Sequence, residues 1–234
     1  MKNGKKRIRV REILHFTVLP GLLIVGLTTA SRGVQGDPAP ATSPFAQVGT
    51  FNLRQTNIWE GNVGEGFRSD AQTLTLQSGG VAGLAVFGSR QEHDLTLLSL
   101  SYGHMLTGVV GQDHWYRGNW EIRQELFGGA QVSPSRDWVV GLTPHLRYNF
   151  ATGTRWIPYA DAGAGVSATG IGHPDLSGTF EFNLQANTGV HWFVRDNMAL
   201  TFEGGYLHLS CAGISSPNLG LNGVKAMFGV TWFF

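Results

Sequence analysis

Residues Thr179–Trp192 read TFEFNLQANTGVHW, and their alternation decides the fold class. The even positions are Phe180, Phe182, Leu184, Ala186, Thr188, Val190 and Trp192, and the odd ones are Thr179, Glu181, Asn183, Gln185, Asn187, Gly189 and His191. Successive side chains of a strand point to opposite faces, so this segment is a strand with one apolar face and one polar face. The same division recurs outward along the chain. Trp138–Phe150 sets Trp138, Val140, Leu142, Leu146, Tyr148 and Phe150 against Thr143, His145, Arg147 and Asn149. Asn119–Phe127 sets Trp120, Ile122 and Leu126 against Glu121, Arg123 and Glu125. Leu221–Phe234 sets Val224, Ala226, Phe228, Val230, Trp232 and Phe234 against Lys225, Gly229 and Thr231. Weaker alternation over 72–87, 93–106, 155–168 and 197–210 brings the expected total to eight strands.

Such strands can close around an apolar core, as in a soluble sandwich, or turn their apolar faces to lipid, as in a membrane barrel. Three features favour the barrel. The segments are long enough to cross a bilayer when tilted. Aromatic residues stand at strand ends (Trp138 and Phe150, Phe180 and Trp192, Trp232 and Phe234), as interfacial girdles require. The polar face carries both charge signs, with Glu121, Glu125, Asp161, Glu181 and Glu203 against Arg123, Arg147 and Lys225, so the charges can pair inside a barrel that side chains fill. The final Phe234 also resembles the terminal aromatic of bacterial outer-membrane proteins. The expected fold is all-β: an eight-stranded antiparallel transmembrane β-barrel following a cleaved signal peptide.

Composition narrows the function classes. Only 14% of residues are charged, against about a quarter in a soluble domain, while glycine (33) and aromatics (11%) are plentiful. A net charge of +1 leaves no electrostatic footprint for nucleic acid. The single Cys211 excludes an intramolecular disulfide framework, and no Cys/His spacing marks a metal site. No cofactor is implied. Residues 1–30 read as a signal peptide. A basic start (Lys2, Lys5, Lys6, Arg7, Arg9, Arg11) precedes an apolar run, Ile13 to Leu27, and the small residues Thr28-Thr29-Ala30. Residues 31–69, with Pro38, Pro40 and Pro44, read as a flexible segment, and 70–234 as the barrel.

With the C-terminus in the periplasm, Arg195-Asp196-Asn197 and Ala151–Thr154 are short periplasmic turns, and 211–220 is an outer loop. The link 107–116 also falls on the periplasmic side, where it is longer than expected. In Met198–Ser210 the even positions Leu200, Phe202 and Tyr206 set the outward face, which places His208 and Ser210 outward too, near the outer end. Two positions apart on one face, their Cα atoms are roughly 6.5–7 Å apart, within reach of a His–Ser hydrogen bond. Imidazole can then act as base toward the hydroxyl. By parity alone, the pair also fits ordinary headgroup-level residues of a barrel rim. Glu203 has inward parity and reads as an interior ion-pair member. Cys211 has no neighbour in sequence that lowers its pKa, which argues against a thiol nucleophile.

His208-Leu209-Ser210-Cys211-Ala212-Gly213 followed by Pro217-Asn218-Leu219-Gly220 resembles the motif of the outer-membrane lipid A 3-O-deacylases of the PagL type: His-x-Ser-Asn-Ala-Gly, then Pro-Asn-x-Gly, then an acidic residue. The resemblance implies a metal-free, membrane-facing Ser-His-acid triad that hydrolyses the 3-O-linked acyl chain of lipid A in lipopolysaccharide, at the outer leaflet of the Gram-negative outer membrane. It makes Ser210 the nucleophile and His208 the base, with Asn222 in the place of the acid. Cys211 stands where the family has an oxyanion-hole Asn, leaving backbone N–H groups near Ala212 and Gly213 for that role. The two departures imply a slow enzyme or an inactive relative. Two other classes stay open: a non-catalytic small barrel for adhesion or structure, which should have long protruding loops, and a soluble β-barrel lipid binder, which should leave the envelope without detergent. Whether the chain forms a homodimer is also open.

Overall fold

The structure, a computed structural model, describes residues 67–234. The expected signal peptide 1–30, and all but the last three residues of the expected flexible segment 31–69, lie outside the described residues. Eight antiparallel strands follow one another: β1 (Gln72–Gly83), β2 (Asp94–Met105), β3 (Gly118–Ser133), β4 (Trp138–Phe150), β5 (Trp156–Thr169), β6 (Phe180–Arg195), β7 (Met198–Ser210) and β8 (Leu221–Phe233). Each pairs with its neighbour in sequence, and β1 pairs with β8 to close the barrel. Links 84–93, 134–137, 170–179 and 211–220 lie at one end, hereafter the loop end. Links 106–117, 151–155 and 196–197 lie at the other, the terminus end. The long link 106–117 is tied down: Val110 bridges Gly118, the His114 and Tyr116 rings stack at 4.9 Å, and Arg117 Nε donates to Ala151 O at 2.9 Å.

Alternation sets the two faces. Leu98, Leu126, Leu142, Leu184 and Val224 are exposed on the outer wall, while Glu121, Arg123, Glu125, Arg147, Glu203 and Lys225 are buried inside. This is the membrane-barrel solution, apolar outward and polar inward. Trp156 pairs with Trp192 across β5–β6 with their rings stacked at 5.1 Å, and Trp120, Tyr148 and Phe150 form a second aromatic run at the same end. Strand β3 runs to Ser133, past the alternating segment Asn119–Phe127. A Cβ at Gly129 would collide with the Thr96 carbonyl and crowd Leu97, so this glycine answers the close approach of β2 rather than a turn.

The interior has three layers. An apolar cluster of Leu95, Leu97, Phe127, Ile171, Leu176, Leu207 and Leu209 caps the loop end. A second, with Phe67, Met105, Ile157, Phe193 and Phe233, caps the terminus end, where the Phe67 carbonyl accepts from Asn119 Nδ2 at 2.8 Å. Between them lie the charges. Arg147 donates to Asp161 through Nε (3.0 Å) and Nη2 (2.8 Å) and stands 3.2 Å from Glu203. Arg123 reaches Asp161 at 3.3 Å and Glu203 at 3.5 Å. Lys225 Nζ meets Glu203 at 3.0 Å and Gln185 at 2.6 Å, and His145 bridges Asp161 and Glu125. Buried ions are costly unless paired and hydrogen-bonded, and here every cation faces a carboxylate, although Arg123 Nε and Nη2 have no hydrogen-bond partner among the described residues. Glu181 does not join the three cations; it lies at the loop end beneath the backbone N–H groups of Ser177 and Gly178. Among the described residues, the barrel interior is thus filled by side chains, as an eight-stranded barrel is expected to be.

Candidate active site

The outward parity of β7 holds to its end. Leu207 and Leu209 are buried in the barrel, while His208 and Ser210 face outward and are partly exposed. His208 Nε2 lies 3.0 Å from Ser210 Oγ. Directly across the β7–β8 ladder from His208 stands Asn222, whose Oδ1 is 2.8 Å from His208 Nδ1. The structure therefore brings Ser210, His208 and Asn222 into one hydrogen-bonded chain on the outer wall.

Asn222 holds a defined orientation. Its Nδ2 donates to the carbonyl of Val86 at 3.0 Å, which leaves Oδ1 to face His208 and to accept the Tyr206 hydroxyl at 2.6 Å. The reversed amide would set its oxygen against the Val86 carbonyl, two acceptors without a proton between them. Because Oδ1 only accepts, His208 carries its proton on Nδ1, and Nε2 presents a lone pair to Ser210. Asn222 is itself buried, since the link 84–93 folds over it and Leu84 N donates to Asn222 O at 2.8 Å. Gly220 completes the pocket. Its φ is +81°, and a Cβ there would stand 2.9 Å from His208 Cε1, so glycine is required both by backbone and by space.

The other expected residues take different places. The Cys211 side chain is buried and turned away toward Ser177 Oγ (3.2 Å) and the backbone and hydroxyl of Ser215. Hydrogen bonds from Ser177 and then from Ser215 bring its thiol down to about 7. The largest of these partners, Ser177, belongs to another loop, whereas Ser215 reaches the sulfur because the link 211–220 folds back on itself. Burial still keeps the thiol from acting as a nucleophile. The Cys211 N–H donates to Asn218 Oδ1 at 3.2 Å, and Gly213 N–H turns back on the Cys211 sulfur. Ala212 (φ +52°) and Gly213 (φ +81°) make a left-handed corner, which costs an alanine about 1 kcal/mol. Tyr206, Val86, Asn218 and Gly220 are the site residues that the sequence motif left without a role.

Below the site, the outer wall carries a groove of about 630 Å³, lined by Ser78, Thr188, Gly204 and Ala226 and closed by Phe202 and Phe228. Gly204 lies four residues along β7 from His208, about 13 Å at strand rise.

With this geometry in hand, comparison with known proteins is informative. A family model described as lipid A 3-O-deacylase (PagL) matches residues 91–231, a span that holds Ser210, His208 and Asn222. Among solved structures, the outer membrane enzyme PagL is 17% identical and covers 68% of this chain and 97% of its own, with a TM-score of 0.46. Neisserial surface protein A (NspA) is also 17% identical and covers 70% of this chain and 97% of its own, with a TM-score of 0.50. OprG from Pseudomonas aeruginosa is 10% identical, with coverage of 71% and 97% and a TM-score of 0.38. No curated protein matches the chain. At 17% identity, NspA speaks to the barrel fold alone. The family model, matching more than half of the chain, goes further: the chain belongs to the lipid A 3-O-deacylase (PagL) family of the outer membrane.

Proposed function

We propose that the protein is a serine esterase that removes the 3-O-linked acyl chain of lipid A from the outer leaflet, with the loop end outside the cell. The observation that carries the reading is the chain Ser210 Oγ, His208 Nε2, His208 Nδ1, Asn222 Oδ1, held on a lipid-facing wall at 3.0 and 2.8 Å. Polar groups on such a surface are costly away from the interface, and these lie at the strand ends where headgroups sit.

Ser210 Oγ attacks the acyl carbonyl as His208 Nε2 takes its proton. The developing oxyanion is met by the backbone N–H of Ala212 and the Nδ2 amide of Asn218, whose Oδ1 holds the Cys211 N–H; neither donor has an acceptor among the described residues. Collapse breaks the ester bond, and the departing sugar hydroxyl takes the proton back from Nε2. Water then attacks the acyl-enzyme with His208 again as base, releasing the fatty acid and regenerating Ser210. Asn222 orients the ring through Oδ1 but brings no negative charge to the imidazolium, which makes the chemical step slower than with a carboxylate. The groove at Gly204 takes the acyl chain. Four residues of strand match the reach of a fatty chain of ten or more carbons.

Mass spectrometry of lipid A from cells expressing the protein, beside cells expressing Ser210→Ala, tests the reading. Loss of one hydroxyacyl group in the wild type alone supports it. Identical spectra from folded, inserted protein would remove lipid A 3-O-deacylation from consideration.

A further inference from the structure

Asp175, in the link between β5 and β6, is fully buried although it belongs to a surface loop. A buried carboxylate persists only with donors around it, and this one has a full set. Its Oδ1 accepts Arg90 N–H at 3.0 Å, and its Oδ2 faces Gln91 N–H at 3.0 Å, His93 Nε2 at 2.9 Å and the Ser89 hydroxyl at 3.4 Å. All four partners lie in the link 84–93. The backbone carbonyl of the same residue accepts N–H groups from Leu219 and Gly220, both at 3.0 Å, in the link 211–220. One residue thus ties together the neighbouring loop, 211–220, and the loop across the barrel mouth, 84–93.

Those two loops hold the His208–Asn222 pair from opposite sides. The first carries Val86, whose carbonyl orients the Asn222 amide; Ser89 N donates back to Val86 O at 3.1 Å, linking that carbonyl to the segment Asp175 holds. The second carries Gly220, which walls the His208 ring and precedes Asn222 by two residues. We propose that Asp175 is a positioning residue for the proposed esterase. It touches no reacting atom, but by clamping both loops it keeps Asn222 Oδ1 turned toward His208, and so keeps His208 Nε2 free to accept from Ser210. The proposal rests on the serine-esterase reading.

The mechanism predicts a coupling that ordinary destabilisation would not produce. If Asp175 acts through Asn222, removing it matters only while Asn222 is present. The test follows labelling of Ser210 by a fluorophosphonate probe in four purified, detergent-solubilised proteins: wild type, Asp175→Ala, Asn222→Ala and the double variant. Turnover of a soluble short-chain ester is measured beside it. Asp175→Ala is expected to slow labelling and kcat about 10–100-fold with KM little changed, and the double variant to match Asn222→Ala within about twofold. Asp175→Asn, isosteric but with one acceptor oxygen, replaces Asp175→Ala should the latter fail to insert, and is expected to lose about tenfold. Near-wild-type labelling in the Asp175 variant, or losses that multiply in the double variant, overturn the proposal. A wild type that neither labels nor turns over the ester overturns the esterase reading itself. Labelling without lipid A hydrolysis corrects only the substrate and leaves the role of Asp175 supported.

Discussion

Strand β7 carries two polar sets back to back, and they are secured in opposite ways. On its inner face Glu203 is buried among Arg123, Arg147, Lys225 and the Tyr159 hydroxyl, so each partner is backed by others. On its outer face His208 and Ser210 form a single file, each link made once: Ser210 to His208, His208 to Asn222, Asn222 to Val86. The interior network is redundant and positions nothing that reacts, whereas in the outer file Ser210 and His208 are each held by single contacts, and Asn222 is held by Tyr206 and by Val86 of a loop distant in sequence. Charge on β7 thus belongs to folding, and neutral hydrogen bonding to the proposed chemistry. The two can be broken separately.

The largest expected effect falls on the outer file. Ser210→Ala removes the proposed nucleophile and should cut the lipid A deacylation rate by roughly 10⁵–10⁶. Unfolding by urea, followed by the heat-dependent shift in gel mobility, should move by less than about 0.5 kcal/mol, because the side chain is partly exposed and packs nothing. A residual rate above about one per cent would mean that another group attacks. The converse experiment is Arg147→Met. Asp161 and Glu203 would each lose a partner in the buried interior, an expected cost of about 3–5 kcal/mol. The rate of the protein that does insert should stay within about twofold of wild type, since Arg147 lies on the inner wall and makes no contact with His208. Loss of rate without loss of stability would show that the two faces communicate.

Asn222→Asp sharpens the comparison at its least obvious point. The family pattern has an acid here, and a carboxylate would stabilise the imidazolium. In this chain, however, the second oxygen would face the Val86 carbonyl at about 3.0 Å in a buried position. Leaving a buried charged acceptor without a donor costs about 1–3 kcal/mol or more. The expected net outcome is a fall in kcat of about tenfold, measured on the same ester used for the wild type. A rise would mean that the 84–93 link yields and that negative charge was all the site lacked.

The contrast between the faces also explains what could be read without coordinates. Period-two alternation is a local property, so the eight strands, the outward parity of His208 and Ser210 and the inward parity of Glu203 all follow from residues adjacent in sequence. The alternation over Asn119–Phe127 falls short of the full strand, because Gly128 and Gly129 have no side chains to alternate, and the Thr96 carbonyl that Gly129 accommodates lies across the ladder. The fit of Asn222 was not legible, because its deciding partner, Val86, is 136 residues away. The same holds for Asp175, a loop aspartate between Pro174 and Leu176 whose burial depends on Arg90, Gln91 and His93 arriving from another loop. Barrel walls are written in the pattern of each strand. The site is written in loop-to-loop contacts, which have no period.

Cys211 gives the smallest expected effect and the most direct check on where the file ends. It follows Ser210 and stands where the family has an oxyanion-hole Asn, yet its side chain is buried against Ser177 and Ser215 on the far side of the turn. What it offers the site is backbone: an N–H held by Asn218 Oδ1, which sets the Ala212-Gly213 corner. Cys211→Ala keeps that backbone and should leave kcat within about threefold. Asn218→Ala removes the anchor together with a proposed oxyanion donor and should cost about 10²–10³. A thiol near 7 is partly ionised at neutral pH, so N-ethylmaleimide is a second probe. If burial governs, wild type keeps its activity after treatment in the folded state and alkylates only on unfolding. Rapid inactivation that Cys211→Ala abolishes would instead place the thiol within reach of the substrate. The outer file would then extend one residue beyond Ser210.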